Sequence, residues 1–272
     1  MKAFTFPRLM TALVAGVLAT SLTACGGGST DAAPNTDGTL SAGVLRVATL
    51  GDAKPYAYTE NGTYKGFDVE LLQAMAKKLN LKTEFVTQDF SGMLASINNK
   101  QFDVGASSIA ITEERKKTVV FSDPYYIGYI SVMTKKDAGI ADEAGLKGKR
   151  LGLVQGTIQE RYAQQNLPDT DIVRFPDNNA GYSALQSGTI DAQFLDLPVA
   201  QDYAAKNDKM SIPVEIPTSD QPAGFAVRKD NAALRGKLNT ALKQVVDDGT
   251  WLKLYQQYMP TLPVPDQFKP KG

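Results

Sequence analysis

The pattern of apolar and polar positions in the first half of the chain predicts strands and helices in turn. Short apolar runs at 45–50, 82–86 and 102–106 are typical of buried strands. Between them, apolar side chains recur at helical spacing over 67–80 and 91–100. This β-α-β-α-β order predicts a parallel sheet with helices on its faces.

The same order recurs in the second half of the chain. Its predicted elements are, in chain order, the strand 150–154, the helix 157–166, the strand 171–175, the helix 178–187 and the strand 190–195. Residues 183–192 also echo 95–104, because in both a helix ends, a polar turn follows and an apolar-Asp pair begins the next strand. The tail 231–259 is predicted to be helical, with a break at Gly249-Thr250. The sequence therefore predicts two similar α/β lobes.

Two crossings between the lobes predict a two-stranded hinge with a ligand cleft between the lobes. The apolar, β-branched run 129–135 is the candidate for the outward crossing, and 225–228 is the candidate for the return. These assignments place lobe 1 at 44–131 plus 224–272 and lobe 2 at 132–223.

The first 25 residues have the pattern of a secretory leader. Lys2 and Arg8 provide a basic start, and an apolar core follows from Leu9 to Leu22. This core is too short to span a membrane comfortably as a helix, so we interpret residues 1–25 as an export signal.

The leader ends in Leu22-Thr23-Ala24-Cys25, which is the arrangement of a lipobox. In such a motif a branched apolar residue and two small residues precede a cysteine that becomes lipid-modified and anchors the chain to a membrane. The alternative is an ordinary signal peptide with a small-residue cleavage site. The following stretch, 26–43, is rich in Gly, Ser, Thr, Asp, Ala and Pro, which predicts a flexible tether.

Composition narrows the possible functions of the 272 residues, of which 43% are hydrophobic and 21% charged, as in globular proteins. Without Lys2 and Arg8 of the leader, 27 basic residues stand against 29 acidic ones, a net charge of −2, which provides no footprint for nucleic acid. Histidine is absent and cysteine occurs once, so neither an internal disulfide nor a His/Cys metal cluster is possible. We expect no metal and no cofactor.

The residues after the predicted strand 102–106 hold a candidate anion-binding group. The hydroxyls of Ser107 and Ser108 come first, and Thr112 is a plausible N-cap for a short helix that carries Arg115. A guanidinium beside free hydroxyls at a strand end suits a carboxylate. The alternative is a surface arginine that pairs with a neighbouring glutamate, but ligands of parallel sheets bind at these strand ends.

Lobe 2 is predicted to contribute two complementary features. Gly156-Thr157 indicates a tight turn at a helix N-terminus, where free N–H groups favour an anion, and Asp196 adds a carboxylate at a strand end. Together with Arg115 they are complementary to a zwitterion such as a free α-amino acid, whose side chain Phe90 is placed to cover. The alternatives are a routine turn glycine, a helix-capping aspartate and a core phenylalanine.

These motifs resemble the solute-binding proteins of polar amino-acid ABC importers, which have the type II periplasmic-binding fold. The resemblance covers about residues 45–259. The segments that carry it are GFDVEL at 66–71, FSG at 90–92, ITEER at 111–115, FSDPYY at 121–126, QGT at 155–157 and DAQFLD at 191–196.

The resemblance implies a role for each matched position. Arg115 grips the ligand α-carboxylate with help from the Thr157 turn. Asp196 takes the α-ammonium with help from the backbone and hydroxyl near Ser108, and Phe90 packs on the ligand. The full set of candidate ligand-binding residues is Ala53, Tyr56, Phe90, Ser107, Ser108, Ala110, Arg115, Gly156, Thr157, Ile158 and Asp196.

Three positions depart from the family pattern. The family often has an acidic residue where Leu50 stands, an aromatic residue at Ala53, and Ser or Thr at Ala110. The missing hydroxyl at Ala110 costs about 1 kcal/mol of hydrogen bonding. Leu50 removes a carboxylate that would pair with a basic side chain, which disfavours Lys, Arg and His as ligands. Asp52 and Lys54 are the nearby charged groups that would have to compensate.

The sequence therefore predicts a monomeric, lipid-anchored extracytoplasmic receptor that binds a free amino acid. It would deliver this ligand to an ABC permease with its ATPase, and it would not be an enzyme. One alternative is a dehydratase acting on arogenate or prephenate, which the absence of histidine disfavours. The other is a ligand-sensing domain for a membrane partner, which shares the binding chemistry.

Overall fold

The computed structural model describes residues 37–218 and 221–269. The predicted leader 1–25, its lipidation candidate Cys25 and the first part of the predicted tether lie outside these residues. None of the helices in the described ranges combines the length and the apolar character that a membrane crossing needs.

The described residues form thirteen strands, eight α-helices and two short 3-10 helices, the latter at Ala144–Leu146 and Asp266–Phe268. The strands are β1 (Val44–Thr49), β2 (Asp52–Ala53), β3 (Ala57–Glu60), β4 (Thr63–Lys65), β5 (Lys82–Thr87), β6 (Val104–Gly105), β7 (Val119–Phe121), β8 (Tyr129–Lys135), β9 (Arg150–Val154), β10 (Asp171–Phe175), β11 (Ala192–Asp196), β12 (Met210–Pro217) and β13 (Ala226–Arg228). The α-helices are α1 (Phe67–Lys78), α2 (Phe90–Asn98), α3 (Glu113–Lys116), α4 (Ile158–Asn166), α5 (Asn178–Ser187), α6 (Leu197–Lys206), α7 (Ala232–Asp247) and α8 (Thr250–Tyr258).

Two five-stranded sheets give the protein its two lobes. The first has the strand order β5-β1-β6-β13-β7 and the second β10-β9-β11-β8-β12, and β2, β3 and β4 form a small third sheet. In the first sheet β1 runs parallel to β5 and β6, and in the second β9 runs parallel to β10 and β11. The remaining strands of each large sheet pair antiparallel. The predicted class of two similar α/β lobes is therefore confirmed.

The C-terminal helices pack on the first lobe, as the helical tail with its break at Gly249 predicted. Gly249 has a φ of 78° and separates α7 from α8. The buried indole of Trp251 stacks on the Tyr255 ring at 4.8 Å between ring centres and meets the edge of the Phe67 ring at 5.8 Å. This aromatic cluster fixes α8 against the start of α1.

Two neighbouring segments carry the chain between the sheets. The N–H of Ala223 donates to the carbonyl of Tyr126 at 2.8 Å, and the N–H of Thr218 donates to the carbonyl of Gly128 at 2.9 Å. The paired segments provide the predicted two-stranded hinge.

The crossing itself lies elsewhere than the sequence predicted. The run 129–135 is not a crossing but β8, a central strand of the second sheet between β11 and β12, so the expected lobe boundary after residue 131 falls inside this strand. Five consecutive residues of β8 are buried, which explains its apolar, β-branched pattern. Similarly, most of the run 225–228 is β13 of the first sheet, and the chain has already returned before it.

The end of the predicted tether, residues 37–43, is bound to the first lobe instead of forming a free linker. The N–H of Leu40 donates to the Asp103 carboxylate at 2.7 Å, and the Asn231 amide donates to the carbonyl of Gly38 at 2.6 Å. The carbonyl of Gly43 accepts the N–H of Lys82 at 2.9 Å. Polar partners distant in sequence thus order a stretch whose composition is typical of a linker.

Candidate ligand-binding site

A cavity of about 540 Å³, including its open mouth, lies at the carboxyl ends of the parallel strands of both lobes. Ten of the eleven predicted site residues line it, namely Ala53, Tyr56, Phe90, Ser107, Ser108, Ala110, Arg115, Thr157, Ile158 and Asp196. The eleventh, Gly156, does not line the cavity, but its carbonyl accepts a hydrogen bond from Arg115, which does. Sequence reasoning missed the lining residues Val154, Gln159, Asn178, Phe194, Leu195 and Val199.

Arg115 is held by backbone carbonyls of both lobes. Thr112 caps α3, and its hydroxyl accepts the N–H of Arg115 at 3.2 Å. The guanidinium donates through Nη1 to the carbonyl of Ala110 at 2.8 Å and through Nη2 to the carbonyl of Gly156 at 3.1 Å. It also lies 5.0 Å from the centre of the Phe90 ring, within cation–π range.

The charge of Arg115 is buried and not neutralised by a direct partner. The residue is 9% exposed, and within the described ranges its guanidinium forms no ion pair with a carboxylate. Burial and the nearby Arg161 charge lower the pKa of Arg115 to about 10, so it remains a cation at neutral pH. A buried cation that contacts carbonyl dipoles and an aromatic face, but no carboxylate, favours the entry of an anion.

The Thr157 turn brings the start of α4 to the cavity. Gly156 has a φ of 81°, a backbone conformation that favours glycine. The N–H of Gly156 donates to Glu160 at 2.7 Å, and the Thr157 hydroxyl donates to the carbonyl of Val154 at 2.7 Å. These two donors are therefore occupied, and the N–H of Glu160 donates to the Thr157 hydroxyl at 3.4 Å. The anion-binding capacity of the turn rests on the N–H groups of Ile158 and Gln159, which lack intrahelical partners.

Asp196 ends β11 on the opposite wall of the cavity. It stands at the N-cap position of α6 but makes no side-chain capping hydrogen bond, so the alternative of a purely capping residue does not describe it. Gln159 donates to its Oδ1 at 2.6 Å. Burial raises the pKa of Asp196 to about 6, although Gln159 and the Arg115 charge act in the opposite direction.

The first lobe supplies a second carboxylate behind the cavity wall, which sequence reasoning missed. The N–H of Ser108 donates to Asp68 Oδ2, and the Tyr125 hydroxyl donates to the same oxygen at 2.7 Å. Asp68 is fully buried, and burial raises its pKa to about 7. Its place in the GFDVEL motif was the available signal. Nearby, the Tyr56 hydroxyl donates to the Tyr126 hydroxyl at 2.8 Å.

Arg115 and Asp196 are the two charged side chains that line the cavity in the described part of the chain. Asp52 and Lys54, which the sequence offered as compensating charges, are engaged with the second lobe. Asp52 accepts the N–H of Asn179 at 2.9 Å, and Lys54 lies 3.2 Å from a carboxylate oxygen of Asp202. Neither of them supplies a charge to the cavity.

Comparison with known proteins agrees with this architecture. Residues 45–261 match the family of bacterial extracellular solute-binding proteins, family 3. The chain belongs to this family. The resemblance predicted from its motifs is thereby confirmed, and we refer to the chain below as the solute-binding protein.

Two curated relatives illustrate the range of ligands in the family. ABC transporter arginine-binding protein 1 of Escherichia coli (strain K12) is 34% identical over 204 residues, which cover 74% of this chain and 84% of the relative. L-cystine-binding protein TcyJ of the same strain is 34% identical over 220 residues, which cover 79% of this chain and 82% of the relative.

Solved structures share the same fold. An ancestral arginine-binding protein bound to arginine is 36% identical with a TM-score of 0.76, and the match covers 80% of this chain and 98% of that one. An ancestral amino acid-binding protein, a precursor of cyclohexadienyl dehydratase, is 37% identical with a TM-score of 0.72, covering 79% of this chain and 95% of that one.

The raised pKa values of Asp68 and Asp196 predict that the ligand-free protein is more stable at pH 5 than at pH 8. An aspartate has a pKa of about 3.9 in the unfolded chain, so between that value and the native values near 6 and 7 the native state binds more protons. The free energy of unfolding therefore falls as pH rises, by about 1.4 kcal/mol per unit for each group over its own interval.

Thermal unfolding between pH 5 and pH 8 measures this dependence. Asp196→Asn should reduce it, because one of the titrating carboxyl groups is then absent. A midpoint that rises steadily from pH 5 to pH 8 in the wild type would contradict the prediction.

Proposed function

We propose that this solute-binding protein is an extracytoplasmic receptor that binds a free amino acid and delivers it to an ABC permease, with its ATPase, for import. The observation that carries the proposal is that one cavity between two hinged lobes contains both a buried guanidinium without a carboxylate partner, that of Arg115, and a separate carboxylate, that of Asp196. Family membership supports the same function.

The ligand α-carboxylate would bind Arg115. A guanidinium has five N–H donors, and two hydrogen bonds to carbonyls leave donors available for a carboxylate. The first turn of α4 would support the same group from the second lobe. The α-ammonium would bind Asp196, whose Oδ1 is oriented by Gln159.

Closure of the lobes about the hinge would complete the site. Arg115 and Ser108 belong to the first lobe, whereas Asp196 and the Thr157 turn belong to the second. The α-carboxylate would therefore contact Arg115 from one lobe and the Thr157 turn from the other. The α-ammonium would likewise lie between Asp196 and Ser108. Water exclusion on closure lowers the effective dielectric constant and strengthens these charge contacts. Ligand binding and closure would therefore stabilise each other.

Replacement of Arg115 by alanine is expected to abolish high-affinity binding. We would first screen all proteinogenic amino acids, citrulline, ornithine, cystine and arogenate by thermal shift, after unfolding and refolding to remove carried-over ligand. A ligand at about 100 times its Kd adds about 2.7 kcal/mol of stability. Arg115→Ala should then weaken binding of the hit by about a hundredfold or more, since one partner of a buried charge pair is lost.

Arg161→Ala is the matched control, because this arginine lies close enough to influence Arg115 but does not line the cavity. It should bind nearly as the wild type does. Wild-type affinity in Arg115→Ala would refute the site assignment.

We propose further that the ligand side chain is neutral, including modified amino acids. The α groups of the ligand engage Arg115 and Asp196, and the described residues that line the cavity provide no third charged side chain. Leu50 and Phe90, each 8% exposed, make the adjoining wall apolar. A cationic side chain would therefore be buried without a counter-charge, which is costly.

Leu50→Asp is expected to add binding of a cationic amino acid, because it supplies the missing carboxylate. Leu50→Asn has a similar shape without the charge, so it separates charge from volume. Calorimetric titration with arginine and with the wild-type ligand measures both variants. Arginine binding by the wild type as tight as that of any neutral amino acid would contradict the neutral class.

We also propose that Cys25 carries the lipid that holds the receptor, as a monomer, at the cell surface or in the periplasm. The Leu22-Thr23-Ala24-Cys25 motif at the end of an apolar leader supports this. The wild-type protein, expressed with its leader, should partition into a detergent phase, and Cys25→Ala should remain in the aqueous phase. Asp196→Ala, with an intact motif, should partition like the wild type.

Catalysis is not part of the proposal, but one comparison favours a test for it. The chain is similar to a precursor of cyclohexadienyl dehydratase, and Asp196 is a cavity carboxyl group whose pKa is about 6, which suits acid–base chemistry. Arogenate, tested as a substrate beside the ligand screen, should show no turnover. If the wild type forms product from arogenate and Asp196→Asn does not, the protein is an enzyme and the receptor proposal is wrong.

A further inference from the structure

Asp68 is fixed at the start of α1 by backbone contacts on its N-terminal side. Gly66, with a φ of 122°, lies so close to the Tyr56 carbonyl that an added Cβ would be 2.2 Å from its oxygen. The N–H groups of Phe67 and Asp68 donate to the carbonyls of Pro55 and Tyr56 at 2.9 and 3.0 Å. The position of the Asp68 carboxylate is therefore tightly determined.

This carboxylate holds a strained residue of the cavity wall. Ser108 has a φ of 48°, which a non-glycine residue seldom adopts without support. Its N–H donates to Asp68 Oδ2, the oxygen that also accepts the Tyr125 hydroxyl. The other carboxylate oxygen, Oδ1, is buried and has no hydrogen-bond partner in the described residues.

We propose that Asp68 is a positioning residue for the ammonium end of the cavity, and that it makes ligand affinity depend on pH. It holds the Ser108 backbone in the left-handed conformation and places negative charge behind the wall that faces the ligand ammonium. The inference rests on the proposed amino-acid receptor and extends it.

In the described ranges, Asp68 has hydroxyl and backbone N–H groups as hydrogen-bond donors, but it has no positively charged side chain as a partner. Tyr125 donates from the first lobe, Tyr56 and Tyr126 lie close by, and the Asp196 charge acts on Asp68 from the second lobe. On the same helix, Glu70 is engaged with the Tyr258 hydroxyl. A ligand ammonium would be the first positive charge to enter this region.

The ammonium would favour the ionised forms of both carboxyl groups. Since the pKa of Asp68 is about 7 and that of Asp196 about 6 without ligand, binding near neutral pH would release protons. Affinity would then fall as pH decreases, by about tenfold for each unit by which the ligand lowers the pKa of Asp68. The α groups of a neutral amino acid titrate outside this range, so the dependence reports on the protein.

Calorimetric titration of the ligand identified by the screen, from pH 5.5 to pH 8, tests the proposal. Wild-type affinity should fall in two steps, near pH 7 and near pH 6. Asp68→Asn keeps an acceptor for Ser108 and Tyr125 but cannot ionise. It should match the wild type at pH 5.5, bind about tenfold more weakly at pH 8, and lose the upper step, whereas Asp68→Ala should bind more weakly at every pH.

Tyr125→Phe should shift the upper step of the affinity profile while the Asp68 carboxylate itself is unchanged. The Tyr125 ring stacks on Phe225 at 4.2 Å between ring centres, and phenylalanine retains this packing. Loss of the hydroxyl donor raises the pKa of Asp68 further, so the upper step should move to higher pH.

Proton release, measured at pH 7 in two buffers of different ionisation enthalpy, should be smaller in Asp68→Asn than in the wild type.

Asp103→Asn is the matched control for the loss of a buried carboxylate. Asp103 is 1% exposed and accepts the N–H groups of Leu40 and Arg46 at 2.7 and 2.9 Å, but it does not line the cavity. This variant should keep both steps of the pH profile even if its thermal midpoint falls.

The outcomes distinguish this inference from the function on which it rests. A wild-type pH profile in Asp68→Asn overturns the inference, and if that variant does not fold, an unmoved upper step in Tyr125→Phe overturns it. In either case loss of binding in Arg115→Ala would leave the receptor function standing. Absence of binding by any amino acid to the wild type would instead refute the receptor function.

Discussion

The buried guanidinium of Arg115 is the constraint around which the two lobes meet. It donates a hydrogen bond to one carbonyl in each lobe, that of Ala110 and that of Gly156. Carbonyl dipoles offset part of the cost of removing a full charge from water, but they do not replace a counter-ion. The arrangement therefore leaves an electrostatic deficit at the interface of the lobes, and an anionic group that enters the cavity relieves it.

The opposite end of the cavity has the complementary deficit. Asp196 and Asp68 approach it from different lobes, and burial raises the pKa of both carboxyl groups. A zwitterion brings a negative group to one end and a positive group to the other, so it corrects both deficits while adding no net charge of its own. A simple anion or cation would correct only one of them, which is a physical reason for selectivity towards amino acids.

Local signals made much of this architecture predictable. Thr112 caps its helix as predicted, the predicted turn at Gly156-Thr157 begins the next one, and the strands around them follow the apolar pattern. The misplaced features depend on distant contacts. The run 129–135 reads as a crossing until its neighbours β11 and β12 are known, and residues 37–43 read as a linker until their partner Asp103 is known. Asp68 belongs to the site through Ser108, forty positions later in the chain, and the GFDVEL motif marks the residue without revealing this contact.

The departures from the family pattern affect the site unequally, and the source of each contact explains why. Ala110 lacks a hydroxyl, yet its carbonyl still orients Arg115, and Leu50 lacks a carboxylate, yet its N–H still donates to the Ser107 hydroxyl at 3.3 Å. Contacts supplied by the backbone survive substitution, so recognition of the α groups can persist while side chains change. Contacts supplied by side chains do not survive substitution, so recognition of the α groups requires that Arg115 and Asp196 be retained. A cavity built in this way can change its preferred amino acid without losing its affinity for amino acids as a class.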